Sequence, residues 1–200
     1  MTDTGHRNAD RIAGRAYGVM FFAGFGSLWL LTGFHAMHRL GYLAAALVAA
    51  VLLTLLLEAR CLLRRADAMR TAGPRTEDEA RQERSTQRTF NRINGAQYVA
   101  IPLVIVGMNL LHRPEWIVTG IAIVVGLHLL PLAHVFQNTL HYVTGTTLIV
   151  YAAACMAGLP AAEVPSIGAL GTATILLGSA IYTLVASRAA LRTRIALQPA

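Results

Sequence analysis

The sequence predicts an all-α membrane protein, a bundle of six transmembrane helices with both the N- and the C-terminus in the cytoplasm. Three observations lead to this fold class. The composition is too apolar for a soluble domain, six nearly uncharged segments are long enough to cross a bilayer, and the arginines fall almost entirely on one side of the resulting topology. We therefore treat residues 1–200 as a single integral membrane domain.

The composition excludes several classes of protein. Hydrophobic residues make up 55% of the chain and charged residues 14%, whereas globular domains carry about 25% charged residues. The mean hydropathy is +0.52, which excludes a disordered chain, and two cysteines are too few for a disulfide scaffold. The net charge of +7 does not indicate nucleic-acid binding, because the basic residues lie between apolar segments and not on one basic face.

A helix that crosses the hydrocarbon core of a bilayer needs about 20 mostly apolar residues. Six segments meet this requirement: 17–35, 40–63, 95–111, 116–136, 140–159 and 167–186. The first is not a cleavable signal peptide, because its apolar run is too long and no convincing small-residue cleavage site follows it. Short connections between most segments favour an antiparallel bundle.

The arginines predict the orientation of this bundle. With an even number of spans, both termini share one side of the membrane with the 64–93 connection. Fifteen arginines lie on that side: Arg7, Arg11, Arg15, Arg60, Arg64, Arg65, Arg70, Arg75, Arg81, Arg84, Arg88, Arg92, Arg188, Arg192 and Arg194. The other side has only Arg39 and Arg113. Since basic residues concentrate on the cytoplasmic side, we expect cytoplasmic termini and a location in the inner (cytoplasmic) membrane of the cell. Trp29, Tyr42 and Trp116 then fall toward the outer lipid interface.

The 64–93 connection is predicted to be a cytoplasmic loop with a short juxtamembrane helix. Ala72-Gly73-Pro74 breaks the chain, and Thr76-Glu77-Asp78-Glu79 has the pattern of a capping box that opens a helix. Glu77 is placed to pair with Arg81 one turn later. Four arginines recur at helical spacing along one face: Arg81, Arg84, Arg88 and Arg92. We interpret them as contacts to anionic lipid headgroups. The alternative is a docking face for an anionic ligand or protein.

Polar side chains inside the apolar segments mark the candidate site, because such side chains usually face the interior of a bundle. They concentrate toward the predicted cytoplasmic half of the third, fourth and fifth spans. The candidate ligand-binding residues are Asn91, Asn94, Gln97, Tyr98, His128 and His141. Pro102 and Pro131 are expected at similar depth, where each frees a carbonyl group toward a polar cavity. The sequence leaves two interpretations open, a small polar pocket or a set of side chains that hold the helices together by hydrogen bonds.

The pocket is predicted to open toward the cytoplasm and to be sealed toward the outside. The seal consists of branched apolar side chains on the third and fourth spans: Val104, Ile105, Val106, Ile121 and Ile123. Pairs of small residues four apart favour close helix contacts, and they occur at Ala23 and Ser27, Ala45 and Ala49, and Thr174 and Gly178.

Other kinds of site receive little support from the sequence. His35, His38 and His112 form an outer histidine cluster that is too weak to predict a metal site. A haem is not expected, because His128 has no partner histidine near its depth on any other span, and His134 and His141 flank the same short turn at the interface. Glu58 is the only carboxylate within a span and is expected to pair with an arginine. No cofactor and no catalytic residue are predicted.

Three stretches carry a resemblance to a known group of proteins. They are Phe90-Asn91-Arg92-Ile93-Asn94-Gly95-Ala96-Gln97, Gly126-Leu127-His128-Leu129-Leu130-Pro131-Leu132-Ala133 and Tyr142-Val143-Thr144-Gly145. The chain resembles an uncharacterised family of small bacterial integral membrane proteins with an Asn-x-x-Asn-x-x-Gln element followed by a Gly-Leu-His-x-x-Pro-Leu-Ala span. The likeness covers about residues 88–147 and departs at His134, where a longer basic side chain is expected. It implies a topology and no chemistry.

The leading functional hypothesis is transport or binding of a small polar solute at a cytoplasm-facing pocket between the third, fourth and fifth spans. The alternative is a structural or accessory membrane protein without a ligand. A membrane enzyme that uses His128 and His141 ranks last, because the two histidines lack a nucleophile or carboxylate partner. The oligomeric state does not follow from the sequence.

Overall fold

The computed structural model describes residues 3–70, 77–136 and 138–196, and these residues form six long helices joined by short connections. The elements are α1 (Asp3–Ala36), α2 (Tyr42–Arg70), α3 (Glu77–Leu110), a short 3₁₀ turn (Pro114–Trp116), α4 (Ile117–Val135), α5 (Thr139–Gly158) and α6 (Val164–Ala196). All six helices are long and apolar enough to span a membrane. The predicted fold class, an all-α bundle of six membrane helices, is confirmed.

Several helices are longer than the spans predicted from hydropathy. α1 and α3 each contain 34 residues, or about 50 Å of helix at 1.5 Å per residue, against a hydrocarbon core of about 30 Å. α3 starts at Glu77, so the expected juxtamembrane helix is continuous with the third span. The Glu77–Arg81 ion pair is confirmed, with 3.5 Å between carboxylate and guanidinium. The predicted break at 72–74 and the capping residue Thr76 lie outside the described residues.

Successive helices run in opposite directions. One end of the bundle, which we call the terminal end, carries the start of α1, the end of α6 and the α4–α5 turn. The end of α2 and the start of α3, which the 71–76 segment connects, lie at the same end. The other, the loop end, carries the α1–α2, α3–α4 and α5–α6 connections. α1 packs on α6 and α2, α4 packs on α5, α6 and α3, and α5 packs on α6. The core therefore lies between α1, α4, α5 and α6, while α2 and α3 flank it.

Glycines set two of the closest helix contacts. Gly26 of α1 faces Leu177 of α6, and Gly33 faces Leu170 about two helical turns further along. In the α4–α5 hairpin, a Cβ placed on Gly126 would lie 2.7 Å from the carbonyl oxygen of Gly145, and the reverse distance is also 2.7 Å. These contacts define which residues of neighbouring helices lie at the same depth.

The small-residue pairs found in the sequence predict these contacts only in part. Ala23 and Ser27 are buried against the core, as expected. Ala49, Thr174 and Gly178 are exposed on the outside of the bundle, so the other two pairs are not closely packed within this chain. The reason is that the spacing of small residues does not indicate which face of a helix is turned inward.

Two further side chains test the predicted topology. Glu58 of α2 forms an ion pair with Arg188 of α6, which confirms the expected arginine partner. Trp29, expected at the outer lipid interface, is instead buried in the core. An aromatic residue near the end of an apolar span suits both positions, and the register of α1 against α6 decides between them.

Candidate functional site

His128 is a buried histidine in the middle of the bundle. It lies on α4, two residues after the Gly126 contact, and 6% of its surface is exposed. The surrounding sequence, Gly126-Leu127-His128-Leu129-Leu130, is otherwise apolar, so the segment is a membrane helix with one polar side chain on its inner face.

His141 is a second buried histidine, with 6% of its surface exposed. It is the third residue of α5, whose first turn is capped by Asn138. The Asn138 side-chain oxygen accepts a hydrogen bond from the Leu140 backbone N–H at 3.2 Å. This cap lets the helix begin directly after the turn and directs His141 into the bundle.

The two histidines lie at almost the same depth, which corrects the expectation that His128 has no partner near its level. Measured from the Gly126–Gly145 contact, His128 lies about 3 Å and His141 about 6 Å toward the terminal end. His128 is close enough to His141 to act on it electrostatically. The expectation failed because a residue near a helix end was assumed to lie at the lipid interface, whereas the inward face of that helix is covered by α1.

Phenylalanine rings surround this histidine pair. The His128 ring is stacked on Phe21 of α1 with 6.3 Å between ring centroids, and the His141 ring lies 5.4 Å from that of Phe22. Phe136, from the α4–α5 turn, is 6.4 Å from His141 and 5.8 Å from Phe90 of α3. Gly18 completes this wall, because a Cβ added there would lie 3.7 Å from Cε1 of His141.

The ring nitrogens of the pair lack partners. Among the described residues, neither Nδ1 nor Nε2 of His128 has a hydrogen-bond partner, and neither does Nδ1 of His141. The backbone of Ile93 on α3 lies close enough to act on the His128 ring, but the two groups do not meet hydrogen-bond geometry. A buried polar group without a partner costs about 1–3 kcal/mol. Three such atoms in one place mark a site that is not organised for stability alone.

The remaining predicted site residues divide into two groups. Gln97 is buried and Asn94 is half-buried on the side of α3 that packs on α4. Because Val104 faces Gly120 across that contact, Gln97 lies within about 2 Å of the depth of His128. Asn91 is exposed and accepts a 2.9 Å hydrogen bond from the Gln87 side chain, and Tyr98 is 77% exposed. The structure thus brings Asn94 and Gln97 toward the pair and turns Asn91 and Tyr98 away.

The expectation for the two prolines is wrong. From the Val104–Gly120 contact, Pro102 and Pro131 differ in depth by about 13 Å. Both are exposed, as are Tyr98 and Leu127, whose carbonyls they free. The error arose because the membrane part of α3 was assumed to begin near residue 95, whereas Phe90 already contacts Phe136 of the α4–α5 turn.

The predicted seal toward the outside is only partly present. Val104 packs on Gly120, and Ile121 and Ile123 are half-buried, but Ile105 and Val106 face outward. α1 takes part in closing the site instead, through Phe21 and Phe22. These two residues were missed by sequence reasoning, since an aromatic pair in an apolar span carries no signal of its inward direction.

Other candidate positions are separate from the histidine pair. His35, His38 and His112 are exposed at the loop end, and the described residues contain no group of three metal-ligating side chains. A groove of about 440 Å³ lies on the outer face of α5 and is lined by Thr146, Thr147, Val150, Tyr151 and Ala154. It contains none of the predicted site residues.

Comparisons with protein-family models, with curated proteins and with solved structures find no match to this chain. The resemblance carried by the Asn-x-x-Asn-x-x-Gln and Gly-Leu-His-x-x-Pro-Leu-Ala elements stays a prediction.

Proposed function

We propose that this multi-pass membrane protein binds and transports a small polar solute at the histidine pair. The observation that carries the proposal is the set of unpartnered ring nitrogens on His128 and His141, buried between α1, α4 and α5. A ligand with hydrogen-bonding groups satisfies these nitrogens, and the unliganded protein retains the cost of burying them.

The surroundings of the pair define the class of solute. A neutral imidazole offers one donor and one acceptor, and Gln97 adds an amide at the same depth as His128. The phenylalanine walls favour a flat or partly apolar molecule. No fixed charge acts on either ring among the described residues. An uncharged polar solute or a weak acid in its neutral form fits this lining.

The competing interpretation is a structural or accessory protein whose polar residues only hold helices together. Such residues bond one another, and the chain contains an example: Thr144 of α5 and Ser179 of α6 share a buried hydrogen bond of 2.8 Å. The histidine pair makes no comparable bond through the three unpartnered nitrogens. This contrast supports solute binding over the structural role.

Uptake profiling tests the proposed function. Cells that overexpress the full chain are compared with cells that express His128→Leu, across a panel of polar metabolites. We expect at least one solute whose accumulation requires His128, while the exposed control variant His134→Leu, on the same helix, behaves as wild type. A panel in which all three strains accumulate every solute equally contradicts the proposal.

We also propose that the terminal end faces the cytoplasm of the cell that carries this protein in its inner membrane. The fifteen-to-two distribution of arginines supports this orientation. In a chain whose exposed Cys61 is replaced by alanine, a membrane-impermeant maleimide should label Ser85→Cys only after permeabilisation. Arg39→Cys, at the loop end, should be labelled in intact cells. The reverse pattern overturns the orientation.

The arginine face of α3 provides a prediction about lipids. Arg81, Arg84, Arg88 and Arg92 are exposed along one side of the helix, and each basic residue near an anionic surface contributes about 1 kcal/mol of attraction. We expect phosphatidylglycerol to raise the Tm of the detergent-solubilised protein, and the fourfold Arg→Gln variant to lose most of that increase. Arg39→Gln is the matched single-site control at the opposite end. An unchanged lipid effect in the fourfold variant rules out headgroup binding at this face.

A further inference from the structure

α6 carries a row of buried hydroxyl groups along its inner face. Thr172, Ser179, Thr183 and Ser187 follow one another at steps of seven, four and four residues, and each is less than a tenth exposed. This spacing places them on one side of the helix. From Thr172 to Ser187 the row covers about 22 Å, most of a hydrocarbon core of about 30 Å.

The histidine pair lies at the same depth as part of this row. Ser179 bonds to Thr144 of α5, which is three residues from His141 and one residue from Gly145. From the Gly126–Gly145 contact, His128 lies within about 2 Å of the depth of the Thr144–Ser179 bond, and His141 about 4 Å nearer the terminal end. The hydroxyl row and the two imidazoles therefore occupy the same stretch of the core.

α1 adds polar groups where the row has its widest gap. Between Ser179 and Thr172, α6 has only apolar residues turned inward, such as Leu176. Ser27 lies next to Gly26, which faces Leu177, so its hydroxyl falls inside that gap. The indole N–H of Trp29 follows about 3 Å further toward the loop end. Successive polar groups from Ser187 to Thr172 are then separated by no more than about 6 Å in depth.

Within the row, Ser179 and Thr183 each donate to the carbonyl four residues earlier at 2.8 Å. Exposed Thr32, Thr54 and Thr174 each donate to the carbonyl four residues earlier, as threonines in membrane helices commonly do. Among the described residues, the side-chain polar atoms of Ser27, Trp29, Thr172 and Ser187 have no partner although they are buried. The unpartnered groups thus lie at the two ends of the row and in its widest gap.

The hydroxyl row of α6, together with Ser27 and Trp29 of α1, forms a file of polar side chains. We propose that this file is a path for protons through the bundle, with water as the carrier and the histidine pair as its titratable groups. A proton that reaches one ring nitrogen of neutral His128 forms an imidazolium, and the proton on the other nitrogen leaves. The ring gains one proton and loses one, and rotation of the ring restores the first tautomer. His128 is the titratable group that faces His141, and no other charged side chain acts on either ring within the described part of the chain.

The terminal end of the path reaches a charged mouth. Ser187 precedes Arg188, and Arg188 is paired with Glu58 of α2. A carboxylate paired with a guanidinium at the end of the file provides an acceptor where the path meets the headgroup region. This inference shares the histidine pair with the proposed function, but it concerns the ion that moves and requires no solute.

Proton flux into liposomes tests the path. The purified full chain is reconstituted with a trapped pH-sensitive dye, and a potassium gradient with valinomycin drives protons inward in the absence of any solute. We expect acidification well above that of empty liposomes. Because a positioned acid–base group contributes about 10²–10⁴-fold to proton transfer, His128→Leu should lower the flux at least about tenfold.

Two isosteric variants separate conduction from a folding defect. Thr172→Val removes an unpartnered hydroxyl of the file and should lower the flux, while Thr174→Val removes an exposed hydroxyl on the same helix and should not. Wild-type flux equal to that of empty liposomes overturns the path, as does an equal flux in Thr172→Val and Thr174→Val. A solute whose uptake requires His128 leaves the proposed function standing in either case, so the two failures are distinguishable.

Discussion

Replacing His128 with leucine should leave the protein at least as stable as the wild type while abolishing its function. Both ring nitrogens of His128 are buried without a hydrogen-bond partner among the described residues, and a group of this kind costs about 1–3 kcal/mol. Leucine fills a similar volume and has no polar atom to satisfy. We therefore expect an unchanged or raised Tm in detergent, together with loss of His128-dependent solute uptake.

The structural interpretation makes the opposite prediction for the same variant. If His128 bonded neighbouring helices, its removal would leave their polar groups unsatisfied, and the Tm would fall. Thr144→Val is the positive control, because it removes the observed bond to Ser179 and should lower the Tm. A Tm of His128→Leu that falls as far as that of Thr144→Val would favour the structural interpretation.

The sequence was sufficient for the helical architecture and for the inward direction of His128. Apolar length predicts all six helices, because a bilayer requires about 20 apolar residues whatever the details of packing. His128 stood out because an ionisable residue in the middle of a span is costly and turns inward. Glu58 forms an ion pair with Arg188 for the same reason, because a carboxylate near hydrocarbon needs a cation.

The composition of the site was less predictable, because it depends on which face of each helix is inward. His141 near the start of α5 and Tyr98 within α3 are both polar ring side chains in apolar segments. His141 is nevertheless buried beneath Phe22, whereas Tyr98 is exposed. The hydroxyl row of α6 is visible as a periodicity of Ser and Thr. The exposed Thr174 obscures this periodicity, because it carries a hydroxyl group on the outer face of the same helix. Contacts between helices distant in sequence decide these directions, and hydropathy does not encode them.

The largest loss of stability should come from adding a side chain at the α4–α5 crossing. A Cβ on Gly126 would lie 2.7 Å from the Gly145 carbonyl oxygen and 3.3 Å from the backbone nitrogen of Ile149. Backbone atoms cannot turn aside as a flexible side chain does, so the two helices must separate. Overpacking of this kind costs about 1–3 kcal/mol, and we expect Gly126→Val to lower the Tm more than Gly126→Ala.

Separation of these helices also changes the site. His128 and His141 lie on the same side of the crossing, two and four residues from its glycines, so a wider crossing moves the two rings apart. We therefore expect Gly126→Ala to weaken His128-dependent uptake as well as stability. Gly178→Ala is the matched control, because a Cβ there meets no described atom within 4 Å, and alanine favours a helix over glycine by about 0.5–1 kcal/mol. Equal Tm values for Gly126→Ala and Gly178→Ala would show that α4 and α5 do not cross at Gly126 and Gly145. The common depth of the histidine pair, which is measured from that contact, would then be wrong.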